Sequence, residues 1–193
     1  KAKQATSRKK TLDKLEITQF KPSSRVSPFI RFNPKTRLGD KVIEAKEISK
    51  TYDTQLFSNF SCTIGPEERV AIIGKNGIGK TTLLNILCNQ LAPDAGAVKF
   101  GETVEIGLFP QDASGILDSD SSALDWLNRF SDNGTSEVEL RSFMGRMLFR
   151  GEDVLKNVGV LSGGERARLI ISKMTMEGGN VLALDEPTNH LDL

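Results

Sequence analysis

The chain has 193 residues, 38% hydrophobic and 26% charged, a composition that fits one packed soluble domain with an appendage and excludes wholesale disorder. No run of 18 apolar residues exists and residues 1–10 lack an apolar stretch, so neither a transmembrane helix nor a secretory signal is expected. The formal charge of +1 conceals an asymmetry: residues 1–41 hold twelve Lys/Arg and three acids, +9, and the other 152 residues hold fourteen against twenty-two, −8.

A basic arm ahead of a mildly acidic body fits an arm that meets a polyanion, RNA first among them, because lysines and arginines on phosphates release counterions. A solvated linker accounts for the same charge equally well. Residues 1–17 have helix-forming composition with a thin apolar stripe, and they open on Lys1 rather than Met, so the chain reads as a piece cut from something longer. Residues 21–41 carry Pro22, Pro28, Pro34 and Gly39 and read as an extended basic linker. Phe29, Ile30 and Phe32 either pin that linker to the body or stack on bases. Cys62 and Cys88 are too few for a disulfide framework or a four-ligand zinc site, so reduced thiols in a cytoplasmic protein are expected.

From residue 42 the texture changes. Strands are predicted over 42–45, 69–73, 103–109 and 181–185. Helices are predicted over 80–91, with Leu83, Leu84, Leu87 and Leu91 on one face, and over 121–131, 136–149 and 164–177. Alternating strands and helices imply an α/β fold with a largely parallel sheet, interrupted by a helical insertion near 115–160. Trp126 is expected in the packing of that insertion, and Met144 and Met147 in its core or interface.

Three motifs carry chemistry. Residues 74–81, Gly-Lys-Asn-Gly-Ile-Gly-Lys-Thr, match G-x-x-x-x-G-K-[ST] between a predicted strand and a predicted helix. Glycines let backbone N–H groups wrap phosphate oxygens, Lys80 adds charge, the Thr81 hydroxyl can hold Mg²⁺, and the helix N-terminus faces the same anion. The apolar run 181–184 ends in Asp185 and Glu186. The first acid is placed to orient Mg²⁺ and the second to polarise a water, so Glu186 is the candidate catalytic residue. Leu161-Ser162-Gly163-Gly164-Glu165 opens a helix, where it serves either as a helix cap alone or as a further anion site. Arg166 and Arg168 behind it either reach phosphate or are solvated, and the solvated reading is favoured.

In this order, with Gln111 after a strand, the motifs resemble the ATP-binding-cassette superfamily. The resemblance implies a P-loop NTPase fold with a RecA-like parallel core, an antiparallel β edge and a helical subdomain, here truncated at its C-terminus. It implies ATP and Mg²⁺ as cofactors. Gly74, Lys75, Asn76, Gly77, Ile78, Gly79, Lys80, Thr81 and Thr82 would cradle the nucleotide, with Thr81, Gln111 and Asp185 on the metal. Ser162, Gly163, Gly164 and Glu165 would contact a nucleotide held by a second cassette. Tyr52 falls where the family stacks an aromatic on adenine, although a lone tyrosine also serves as packing.

Glu186-Pro187-Thr188-Asn189-His190-Leu191-Asp192 resembles the ABC-F branch, and residues 1–41 resemble the end of its basic interdomain linker, closest in wording to the YbiT-like subgroup. Residues 42–193 then form the nucleotide-binding domain, incomplete at its end. The family's switch histidine is not His190 and lies beyond Leu193. The implied function is Mg-ATP hydrolysis that drives cassette closure in a cytoplasmic translation factor acting with ribosome and tRNA and without a membrane. The partner is a second cassette of the parent chain or a head-to-tail copy of this one, and hydrolysis by the fragment alone is not expected. A transporter ATPase is the competing reading, against which the basic arm weighs. A non-hydrolysing scaffold for RNA or protein is the third, against which Glu186 weighs.

Overall fold

The computed structural model describes residues 27–112, 115–117 and 120–187. The helix expected over 1–17, the first 26 residues of the arm, and the stretch 188–193 with His190 lie outside the described residues.

β1 (Ile43–Thr51) and β2 (Gln55–Ile64) form an antiparallel hairpin, and β3 (Ala95–Phe100) flanks β1 on its other side. Ile43 pairs with Ile64 on one side and with Phe100 on the other. Strand alternation turns Ile43 and Ala45 inward, and a bulge at Glu47, whose φ is 48°, shifts the phase so that Ile48 is the next inward residue. The bulge lies against Gly96, whose φ is +81° and whose missing Cβ would collide with the Lys46 carbonyl and the Glu47 backbone. Gly96→Ala is therefore expected to lower stability by about 2 kcal/mol or more, combining left-handed strain with overpacking. A urea titration of the variant checks it, and an unchanged midpoint would refute the bulge argument.

α1 (Lys80–Leu87) packs beneath this sheet, burying Ile86 and Leu87 against Val42, Ile43, Ala45 and Ile48. It ends earlier than the predicted 91, because the left-handed Asn89 (φ 57°) turns the chain out of the helix. Leu83 and Leu91 pack only at the margin of the cluster. The predicted strands omitted β2 and β3: Ala95-Gly96-Ala97 has no apolar alternation, and β2 interrupts its own with Ser and Asn.

A second sheet pairs β4 (Ile106–Phe109) with β5 (Val181–Leu184) in parallel, Ile106 opposite Val181 and Phe109 opposite Leu184. The crossover between them contains α2 (Ala123–Asn128), α3 (Glu137–Arg146), 3-10 turns at Gly151–Leu155 and Val158–Val160, and α4 (Gly163–Glu177). Ser122, Ser136 and Ser162 cap the three helices by accepting bonds from the Asp125, Glu139 and Glu165 amides. Glu139 and Glu165 return a bond to the cap backbone, completing capping boxes. Trp126, Leu127, Met144, Met147, Leu169, Ile170 and Met174 share one core under β4, so the tryptophan and both methionines pack as expected.

Residues 69–73, expected as a strand, join neither sheet. Val70 is 62% and Ile73 91% exposed, Leu182 and Leu184 are exposed, and among the described residues β5 pairs on one edge. A strand exists only where a neighbouring backbone meets its N–H and C=O groups, and among the described residues none lies in register with 69–73. The apolar composition of this segment therefore marks a strand-forming sequence whose ladder the described chain does not complete.

Candidate functional site

The G-x-x-x-x-G-K-T turn leads directly into α1. Gly77 and Gly79 hold φ of 79° and 101°, in the left-handed region that glycine adopts without a Cβ penalty. Lys80 folds its ammonium back over the turn and donates to the Gly74 and Lys75 carbonyls at 3.1 Å each. Among the described α-helices, α1 alone has no side-chain cap. Its first-turn amides, at Lys80, Thr81 and Thr82, are left to an external acceptor at the positive end of the helix dipole. Loop, lysine and uncapped helix together form an anion cradle.

The parallel register builds the second element of the site. Phe109 stands opposite Leu184, so Gln111 and Glu186, each two residues further on, emerge at the same sheet edge. Gln111 Nε2 donates to Glu186 Oε2 at 3.2 Å. The Asp185 amide donates to the Phe109 carbonyl at 2.9 Å, extending the ladder by one rung, and Asp185 is buried. Glu186 adopts φ 46°, a left-handed conformation that costs a non-glycine residue about 1 kcal/mol and is commonest where function holds it.

Thr81, Gln111 and Asp185 offer hydroxyl, amide and carboxylate oxygens, a hard donor set that suits Mg²⁺ better than softer metals. Among the described residues no group of three His, Cys, Asp or Glu could hold a metal by itself. Mg²⁺ takes one or two protein carboxylates and completes its shell with phosphate and water, and the chemistry of these three donors suits that ion.

In the LSGGE segment Ser162 and Glu165 bond to each other. Ser162 donates through both its amide (2.8 Å) and its hydroxyl (2.7 Å) to Glu165 Oε2, and the Glu165 amide donates to Ser162 Oγ at 3.3 Å. Lys156 joins Glu165 Oε1 at 3.1 Å and Asp153 Oδ1 at 2.7 Å. Burial pushes the Glu165 carboxyl up, but the Ser162 bonds and the Lys156 ammonium outweigh it and hold its pKa below the ordinary glutamate value. A depressed carboxyl contributes stability that is complete above the unfolded pKa and lost as pH falls through the folded one. Ser162→Ala is accordingly expected to cost about 1 kcal/mol near neutral pH. That difference should shrink as pH falls below the ordinary glutamate range and the carboxylate protonates. Urea midpoints of the two proteins at both pH values check this, and a pH-independent gap would refute the Glu165 contribution.

Tyr52 sits on the turn between β1 and β2, 58% exposed, with Lys50 Nζ 5.6 Å from its ring centroid. Lys50 is itself held by Asp94 at 2.6 Å. The ring is therefore a surface platform and not core packing. Arg166 and Arg168 correct the expectation of solvated side chains. Arg166 Nη2 donates to the Gly159 carbonyl at 2.8 Å, and Arg168 lies over the Phe149 ring with 5.8 Å to its centroid. Both Nε atoms are buried without a partner among the described residues. They brace the start of α4 because the chain folds back through the 3-10 turns, a long-range feature that composition does not reveal. Sequence reasoning also missed Lys156 and Asn180. Lys156 reaches Glu165 only through that same fold-back. Asn180, directly before β5, follows the Gly178-Gly179 turn and was the one with a local signal.

A P-loop opening a helix, a parallel strand ending in two carboxylates, and LSGGE at a helix start are together the motif set of an ATP-binding cassette. A family profile described as "ABC transporter" matches residues 57–189, and the chain belongs to that family. Within it the chain is an ABC-F cassette of the YbiT-like kind. It is 40% identical over 100% of its length to the probable ATP-binding protein YbiT of Escherichia coli O157:H7, covering 37% of that protein. It is 44% identical over 83% of its length to the energy-dependent translational throttle protein EttA of Haemophilus influenzae, covering 29% of it. The chain thus spans about a third of the length of the curated relatives it matches. The dimeric, ADP- and Pi-bound structure of the ATP-binding cassette MJ0796 shares the fold, at TM-score 0.65 and 24% identity over 78% of this chain and 76% of that one. No helix among the described residues is long and apolar enough to cross a membrane.

Proposed function

We propose that this chain supplies one nucleotide half-site of an ATP-hydrolysing cassette pair, and that the parent protein couples closure of that pair to ribosome and tRNA binding through its basic arm. The observation that carries the reading is the contact of Gln111 with Glu186 at the end of the parallel strand pair, in a chain whose P-loop helix α1 has no side-chain cap. In this reading Tyr52 stacks on the base and residues 74–82 hold the phosphates. Gln111 Nε2 orients a water, and Glu186 accepts its proton as the oxygen bonds to the terminal phosphorus while the bond from that phosphorus to the bridging oxygen breaks, its electron pair leaving with ADP. Bound Mg²⁺, held by Thr81, Gln111 and Asp185, would neutralise phosphate charge. Ser162 is engaged with Glu165 and turns its hydroxyl to a phosphate only when one arrives from the second cassette.

Residues 1–41 supply the nucleic-acid term, since their +9 charge fits phosphate neutralisation. EttA is named as a translational throttle, and the present chain resembles it over most of its length. The test is ATP turnover of the full parent protein with and without purified ribosomes. Stimulated turnover, with the Glu186→Gln protein trapped on ribosomes by ATP, is expected. Turnover indifferent to ribosomes would move the reading to a transporter subunit, and absence of turnover to a scaffold.

A further inference from the structure

The chain has two Asn-Gly pairs, Asn76-Gly77 inside the P-loop and Asn133-Gly134 ahead of α3. Asparagine is chemically labile, and most so before glycine, because no Cβ hinders attack of the following backbone nitrogen on the side-chain amide. A helix or strand holds that nitrogen away from the amide, whereas an exposed turn lets the two meet.

Both pairs lie on exposed turns. Gly77 has φ 79°, and a Cβ there would meet no atom within 4 Å. The Asn133-Gly134 turn is closed by the Thr135 amide on the Asp132 carbonyl at 3.1 Å. Gly134 has φ 104° and is equally open. Lys80 takes the Gly74 and Lys75 carbonyls for its ammonium, so the bonds that fold the lysine over the P-loop pass Asn76 by.

The two turns differ in charge. Asn76 follows Lys75, with the Lys80 ammonium bonded next to it and the uncapped start of α1 just beyond. Asn133 follows Asp132, which pairs with Lys35, and precedes Glu137 and Glu139 in the first turn of α3. Ring closure passes through negative charge, first on the glycine nitrogen and then on the oxygen of the tetrahedral intermediate. A loop that suits phosphate also stabilises that oxyanion.

We propose that Asn76 is a self-modification site of the P-loop. The Gly77 nitrogen gives its proton to a base in solution and bonds to Asn76 Cγ. The bond from Cγ to the side-chain nitrogen breaks, and that nitrogen leaves as ammonia with a proton from water. Water then adds to one carbonyl of the succinimide, the ring C–N bond breaks, and aspartate or isoaspartate results. Either product sets a carboxylate in the turn that receives phosphate, and isoaspartate also adds a methylene to the backbone there. A bound nucleotide restrains Gly77 and covers Asn76, so an occupied loop keeps its amide and an idle one loses it. The inference deepens the cassette reading and rests on it for this protection.

The experiment incubates the full parent protein in mildly alkaline buffer, with and without a non-hydrolysable ATP analogue and Mg²⁺. Peptide mass spectrometry and isoaspartyl methyltransferase labelling follow both pairs, with Asn133 as the internal control. Asn76 is expected to convert about 3-fold or more faster than Asn133, from the charge around it. Analogue at about 100 times its Kd leaves about 1% of the protein free, so it is expected to slow Asn76 by about 10-fold or more and to leave Asn133 unchanged. Asn76→Asp is expected to bind the analogue about 10-fold or more weakly, through like charge. Asn76→Ser has no amide to lose, and is expected to form no isoaspartate at 76 and to hold its own starting affinity through the incubation. An Asn76 peptide that stays unconverted overturns the proposal, and so does converted protein that binds the analogue undiminished. Faster conversion at Asn133 overturns the role of the loop's charge. Conversion at Asn76 that ignores bound analogue overturns the protection. Failure of fresh protein to bind the analogue overturns the cassette reading and leaves the conversion at Asn76 standing.

Discussion

Glu186→Gln in the parent protein is expected to lower the rate of ATP cleavage by about 10²-fold or more, the lower range for loss of a positioned general base. That corresponds to about 2.7 kcal/mol of barrier. An amide has nearly the shape of the carboxylate but does not accept the water proton. The Gln111 bond at 3.2 Å persists, because the amide oxygen of a glutamine at 186 still accepts from Nε2. The left-handed backbone at 186 is no harder for Gln than for Glu. Nucleotide affinity is therefore expected to stay within about 3-fold while kcat falls, the pattern of an interaction made only in the transition state. Single-turnover rates beside equilibrium binding of a fluorescent ATP analogue separate the two quantities. An unchanged kcat would remove Glu186 from the proton transfer, and a matched loss of binding would reassign it to nucleotide holding.

Trp126→Ala is expected to lower stability by about 3–5 kcal/mol. The side chain is 1% exposed in the core that joins α2, α3 and α4 beneath β4, with its ring 4.9 Å from that of Phe130. Truncation leaves a large cavity among neighbours already fixed by three serine-capped helices, so little collapse relieves it. Ile73→Thr is the contrasting case. Its side chain is 91% exposed, and the change is expected within about 0.5 kcal/mol in this chain despite the apolar run it belongs to. Chemical denaturation of both variants decides between composition and packing. Equal losses would mean that residues 69–73 are packed after all.

The local features were legible because they are written in short spacing. The P-loop needs only its glycines, Lys80 and Thr81 in eight consecutive residues, and the Ser162–Glu165 box only four. Trp126, Met144 and Met147 lie on or beside helices that the sequence shows, and all three are buried in one core. By contrast β3 was hidden, because Ala95-Gly96-Ala97 is selected by the bulge at Glu47 and not by strand propensity. Arg166 and Arg168 were misread for a related reason: what covers them comes from Phe149 and Gly159, brought over α4 by the fold-back.

The sequence by itself determined the family, the order of its motifs and the types of chemical group available, since each depends on residues within one turn or one strand of each other. Tertiary structure alone decided which of those groups meet. The parallel register of Phe109 with Leu184 puts Gln111 on Glu186 across 75 positions, and Asn180 reaches Thr36 across 144. It also decided that residues 69–73, apolar enough for a strand, form none among the described residues, because a ladder needs a second backbone and hydrophobicity alone does not supply one.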